Sequence, residues 1–196
     1  MRALTYIPPN RYNINASKNF EDINFIKDAD ILLAFDFAYI MSFGQGFHRN
    51  YRTGGQTVRK NGEKFCNTFQ GKLAEIVLYN YLTSNSISCS EVDYRIMGKS
   101  AWDDSDFVVN GKHINVKSVA FFSNLLLLEK DDWNSEAHYI PNIAINGTYH
   151  YDHFILIRIK PDIKNILRNN SLYYSDNVDK EILLKLILNN KCIIAK

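Results

Sequence analysis

The chain has 196 residues, 46% of them hydrophobic and 22% charged, with a formal net charge of +2. That length suits one domain with a core large enough to stand without staples, and the composition excludes a disordered or histone-like chain. Cys66, Cys89 and Cys192 are widely spaced and form no CxxC pair, which argues against zinc and a disulfide framework and for a reducing, cytoplasmic setting.

Residues Met1 to Phe20 are polar and rich in Asn and Pro, and read as an irregular arm. No apolar h-region precedes Pro8 and Pro9, so a signal peptide is not expected. A helical region follows at about 20–45, with Asp22 to Phe43 as its body. The apolar run Ile31 to Met41 contains Asp36 and is too short to span a bilayer, so it reads as a buried helix and no membrane association is expected. Gly44 and Gly46 stop it. His48 to Lys64 reads as a polar, glycine-containing segment, and Phe69 to Leu82 returns to helical spacing. Ser84 to Ser90 is a loop.

From Val92 the period moves towards two, and Tyr94 to Met97 suggests a strand. The clearest local signal comes next. Asp106 to Val109 and Lys112 to Ser118 are β-prone runs around Asn110-Gly111, the preferred type I′ hairpin turn. Leu125 to Glu129 and His153 to Lys160 predict two further strands, separated by a loop-rich stretch with Trp133, Pro141 and Gly147. Asp179 to Asn189 predicts a helix and Cys192 to Ala195 a terminal strand. The expected fold is a single α/β domain over residues 1–196, with a central mixed β-sheet of four to five strands flanked by helices.

A two-residue turn dictates which residues face each other. Val109 opposes Lys112, Val108 opposes His113, Phe107 opposes Ile114 and Asp106 opposes Asn115. Lys117 lies two residues beyond Asn115 and shares its face, while Phe107, Ile114 and Val116 form an apolar face. An acid, an amide and a lysine therefore gather on one side. That trio suits metal-assisted phosphodiester hydrolysis. Asp106, the Asn115 side-chain oxygen and the Val116 carbonyl are hard oxygen donors of the kind Mg2+ takes, and Lys117 would orient the attacking water and stabilise phosphate charge. Glu75, near the edge of the apolar stripe of the preceding helix, is a further candidate ligand and would restore the negative charge that Asn115 lacks.

Ser105-Asp106, a short hairpin, then Asn115-Val116-Lys117 resembles the PD-(D/E)XK nuclease motif. The stretch Gly71-Lys72-Leu73-Ala74-Glu75 resembles the helix that carries an extra acid in many members, and Tyr151-Asp152 ahead of Phe154 to Ile159 is similar to the strand after the motif in restriction endonucleases. His48-Arg49 to Gly54-Gly55 is similar to a basic element upstream of the glutamate helix. The resemblance spans roughly Arg49 to Lys160. It implies a restriction-endonuclease-like core and a Mg2+-dependent, sequence-specific endonuclease of type II acting as a homodimer on double-stranded DNA. Two positions depart from the pattern: Ser105 stands where the motif has Pro, and Asn115 where Asp or Glu is usual. The amide is compatible with an active enzyme and with a lapsed one. Two other readings stay open: a nuclease of the same superfamily in repair, recombination or phage DNA processing, and a non-cleaving DNA-binding module on the same scaffold.

Arg49, Asn50, Tyr51, Arg52, Gln56, Arg59, Lys60, Lys64, Gln70 and Lys72 are the expected DNA contacts. Cations there would meet phosphates, and Arg, Asn and Gln can read base edges. The plain alternative for Asp106 and Lys117 is a solvated cross-strand ion pair, worth little. His48 has no second His at ligand spacing and reads as a DNA contact or packing residue; His150 and His153, flanking Tyr151-Asp152, read as structural ahead of a zinc site, and Trp102 and Trp133 as packing residues.

Overall fold

The computed structural model describes residues 5–9, 11–13, 21–22, 26–44, 46, 58–96, 105–123, 126, 128, 130–136, 138–140, 143, 150–190 and 194–195. Within the expected irregular arm, β1 (Thr5–Ile7) and β2 (Arg11–Asn13) form a small antiparallel ribbon. Tyr6 and Tyr12 face each other across it, with ring centroids 5.2 Å apart.

Two long helices follow. Helix α1 (Asp28–Phe43) begins six residues later than the apolar pattern suggested. The cause is local: the Asp30 carboxylate accepts from the Lys27 backbone N–H at 2.9 Å, fixing the first turn there. Helix α2 (Asn61–Ser84) begins eight residues earlier than expected and absorbs the end of the polar segment. Phe65, Cys66, Phe69 and Leu73 are all buried on it, so the helical stripe runs further back than the charged residues between them suggested. Gly62 permits this start. A Cβ there would lie 2.0 Å from the Leu172 carbonyl oxygen, and the Gly62 N–H donates to the Ser175 carbonyl at 2.8 Å.

The helices pack through aromatic rings and small residues. Phe35 meets Phe65 edge-on at 5.4 Å, Phe65 stacks on Phe69 at 5.6 Å, and Ala34 and Ala38 are fully buried on α1. Full burial of each such aromatic contributes roughly 1.5–3 kcal/mol.

The main sheet runs β3 (Phe107–Val109), β4 (Lys112–Ala120), β5 (His153–Lys160) and β6 (Ile194–Ala195), in that spatial order. The β3–β4 and β5–β6 pairs are antiparallel and β4–β5 is parallel. The hairpin register matches the one derived from the turn: Phe107 with Ile114, Val108 with His113, Val109 with Lys112. Asn110 and Gly111 take φ of 49° and 75°, the two left-handed residues of a type I′ turn. The mixed α/β architecture is as expected. The sheet itself is smaller in substance: three strands carry it and β6 contributes two residues.

Other expectations fail. Tyr94 to Ile96 are not a strand, and Met97 lies outside the described residues. Among the described residues, an isolated bridge, Cys89 to Val109, is what extends the sheet beyond β3. Leu126 and Leu128 are not in a strand either. A helix not anticipated, α3 (Ile163–Asn169), starts at Asp162, whose carboxylate accepts from the Lys164 and Asn165 N–H groups. Helix α4 (Lys180–Asn189) is capped in the same way by Asp179. Helix α2 packs against α1 on one side and β4 and β5 on another. One contiguous core joins both long helices, the sheet and the two short helices, and Leu167, Leu183 and Ile187 bring the last two into it. No described helix is long and apolar enough to cross a membrane.

Candidate functional site

The β3–β4 ladder ends at Phe107 with Ile114, and Asp106 and Asn115 are the next residues on the two strands. The Asp106 backbone N–H donates to the Ile114 carbonyl at 3.1 Å, and its carboxylate Oδ2 accepts from the Val116 N–H at 2.5 Å. Along a strand, the N–H and C=O of one residue point to the same edge. The Val116 carbonyl therefore also faces the edge that β3 vacates beyond Asp106. Asn115 is buried, 7% exposed, and its Oδ1 has no hydrogen-bond partner among the described residues. Leaving a buried acceptor unmade costs about 1–3 kcal/mol. Folded proteins rarely tolerate such a group without a use for it.

Burial is the main influence on Asp106 and pushes its carboxyl above the usual carboxylate range. The Lys117 charge, the Val116 N–H and the Lys72 charge pull the other way without overcoming it. Lys117 is half-buried on β4, two residues beyond Asn115. Among the described residues it forms no salt bridge. The plain cross-strand ion pair is therefore not the observed geometry. Lys117 acts on Asp106 through space and keeps its ammonium available. Three candidate oxygen donors lie along this stretch of the β3–β4 hairpin: the Asp106 carboxylate, the Asn115 amide and the Val116 carbonyl. This donor set fits a hard divalent cation such as Mg2+, which keeps several waters.

Glu75 sits on α2 but is already engaged. Its Oε2 accepts from the Lys72 ammonium at 2.5 Å. Lys72, expected among the DNA contacts, is instead one of the few buried charged residues, 6% exposed. It also donates to the Asp93 carbonyl at 2.6 Å and lies 4.5 Å from the Phe37 ring centroid. A lysine so enclosed cannot serve as a surface phosphate contact. The apolar stripe of α2 hid this, because position 72 falls between buried residues whatever its chemistry.

The remaining expected DNA contacts divide in two. Arg49, Asn50, Tyr51, Arg52 and Gln56 lie outside the described residues. Arg59 is half-buried before α2 and Gln70 half-buried on it. Lys60 pairs with Asp176 at 2.5 Å, and Lys64 donates to the Asn61 side chain at 3.2 Å. Lys60 is therefore spent partly on the fold, tying the start of α2 to the loop before α4.

Asp152 is a supporting residue that sequence reasoning missed. Its carboxylate accepts from the His113 N–H at 2.8 Å and the Lys112 ammonium at 2.9 Å. Its own N–H returns to the His113 carbonyl at 2.8 Å. These bonds, led by that of Lys112, hold its carboxyl down at about 2. Asp152 thus clamps β4 to the start of β5 two residues before Asn115. The signal, an acid just ahead of a strand, was present, but the parallel β4–β5 pairing that gives it meaning is non-local.

Among the described residues, no three His, Cys, Asp or Glu side chains group as a metal site. The candidate set has one free acid, one amide and one carbonyl. No family model, curated protein or solved structure matches the chain.

Proposed function

We propose that the chain is a Mg2+-dependent endonuclease of the PD-(D/E)XK type, acting on double-stranded DNA as a homodimer, with a type II restriction enzyme as the specific form. The observation that carries the reading is the buried Asn115 Oδ1, which has no hydrogen-bond partner among the described residues and precedes in sequence the Val116 N–H that holds the Asp106 carboxylate. An acceptor with no donor in its own fold suits a cation brought from outside. Asp106, Asn115 and the Val116 carbonyl would hold it.

When bound, Mg2+ would polarise the scissile phosphate and acidify a water. Asp106 holds the cation while the Val116 N–H fixes the carboxylate's orientation. Lys117, which forms no salt bridge among the described residues, would donate to a non-bridging phosphate oxygen or orient the attacking water. Asp152 keeps β4 from shifting relative to β5 and so holds Asn115 and Lys117 in register. The polar segment before α2 supplies backbone-positioning cations.

Digestion of unmethylated phage-sized DNA, with Mg2+ and with chelator, tests this directly. Discrete fragments that need Mg2+ support the sequence-specific enzyme. A smear supports a nuclease of the same superfamily with another occupation. Salt-sensitive DNA binding with intact DNA supports the second reading, a non-cleaving module. One observation favours that second reading: the site has an amide at position 115 and its helix carboxylate is tied to a lysine. Absence of both binding and cleavage would refute the proposal.

A further inference from the structure

The Lys72–Glu75 pair sits on α2, the helix that packs against β4, yet no step above uses it. Lys72 is close enough to Asp106 for its charge to favour the ionised carboxylate, against the larger effect of burial. Its ammonium is enclosed from several sides at once: the Glu75 carboxylate at 2.5 Å, the Asp93 carbonyl at 2.6 Å, the Phe37 ring at 4.5 Å and the Tyr94 ring at 5.5 Å. Two hydrogen bonds and two aromatic faces stabilise a fixed, desolvated cation. Asp93 is itself held, because its carboxylate takes the Arg95 guanidinium at 2.6 Å. Phe37 on α1, Lys72 and Glu75 on α2 and Asp93-Tyr94 in the following segment therefore meet at one ammonium.

We propose that Lys72 withholds Glu75 from the metal, so that the site takes a single divalent cation, and that Lys72 is a positioning residue whose fixed charge occupies the place beyond it. This rests on the metal-site reading above and deepens it. Two properties of the site favour it. Drawing Glu75 to a metal would strand a buried ammonium, and breaking one partner from a buried pair is strongly unfavourable. The amide at position 115 also removes one anionic ligand, which leaves Asp106, among the described residues of the candidate set, as the carboxylate not paired with a lysine.

The test is a Mn2+ titration read by electron paramagnetic resonance on the full chain and its variants, with circular dichroism as the folding check. The expected result is one Mn2+ per chain. Asp106→Asn should weaken it by ~10-fold or more, whereas Glu75→Gln should leave affinity within ~3-fold of the parent, a smaller change than ligand or supporting-shell losses give. Lys72→Met should release Glu75 and produce a second or ~10-fold tighter Mn2+ site, and the double variant Lys72→Met, Glu75→Gln should abolish that gain. If Lys72→Met does not fold, the Glu75→Gln titration decides alone. A folded Glu75→Gln chain that binds Mn2+ ~10-fold more weakly would overturn the inference and leave the metal site standing. A parent chain that binds no Mn2+ would overturn both.

Discussion

Asn115→Val should make the protein more stable and less able to respond to metal. The substitution removes the unpartnered Oδ1 from a site only 7% exposed. Relief of an unmade buried acceptor contributes about 1–3 kcal/mol. Valine also suits a strand interior, on a scale that spans about 1 kcal/mol. The extra methyl volume offsets part of this, since overpacking costs about 1–3 kcal/mol where the core cannot give. The net expectation is a gain of about 1–2 kcal/mol in chelator. For a chain of 196 residues each 1 kcal/mol moves Tm by roughly 2–4 °C. Thermal unfolding in chelator and in Mg2+ reads both effects. At a hundredfold excess over Kd a bound ion adds about 2.7 kcal/mol to the parent, and the variant should lose most of that increment. A Tm in chelator lower than the parent's would refute the reasoning. It would mean that the amide is a satisfied part of the core and that no outside cation is needed to explain it.

Three further outcomes follow from the same geometry. Lys117→Ala should lower cleavage by about 10²–10³-fold, as loss of a transition-state donor does, while DNA affinity in a gel-shift assay stays within a few-fold; full activity would remove Lys117 from the site. Because burial raises the Asp106 carboxyl above the ordinary range, the folded state favours its protonated form. Stability contributed by this group therefore falls as pH rises through the raised value, and Mn2+ binding is lost as pH falls through it. Asp106→Asn should flatten both profiles in pH-resolved unfolding and metal titration. On α2, Gly71→Ala meets nothing within 4 Å and should stabilise by about 0.5–1 kcal/mol. Gly62→Ala drives a Cβ to 2.0 Å from a backbone oxygen and should destabilise by at least about 1–3 kcal/mol. Equal denaturant midpoints for the two would contradict the packing described.

What could be read from the sequence was local. Asn110-Gly111 fixed the turn type and the turn fixed the register, which the strands follow as far as Phe107 with Ile114; Asp106 across from Asn115, with Lys117 on the same face, is that register carried one pair further. Each step needs only residues a few positions apart. The helix boundaries needed partners elsewhere in the chain. Helix α2 starts at Asn61 because Gly62 lies against Leu172 and Ser175, residues more than a hundred positions away. The clamp at Asp152 depends on the parallel β4–β5 ladder in the same way. Lys72 was misjudged because charge was taken as a sign of exposure. Its partners Phe37, Asp93 and Tyr94 come from two segments outside its own helix.

Charge arithmetic at the site links its metal to its substrate. Asp106 and Glu75 supply two negative charges, and Lys117 and Lys72 supply two positive ones, so the cluster is neutral when all four are ionised. A divalent cation entering a neutral, half-buried cluster raises local charge by two, in surroundings where such charge is costly. A scissile phosphate with its neighbours returns negative charge to the same place. Metal affinity should then be weak in the free chain and rise when DNA binds. By linkage, the metal should tighten DNA binding by the same factor. A coupling of 5- to 150-fold is the usual range, about 1–3 kcal/mol. Ca2+, a hard cation of the same charge, allows DNA affinity to be measured in a gel-shift assay with and without the ion, and Mn2+ affinity can be read with and without a random-sequence duplex. Equal affinities in both comparisons would break the link. They would mean that the oxygens of Asp106, Asn115 and Val116 do not share their cation with a phosphate, whatever else the chain binds.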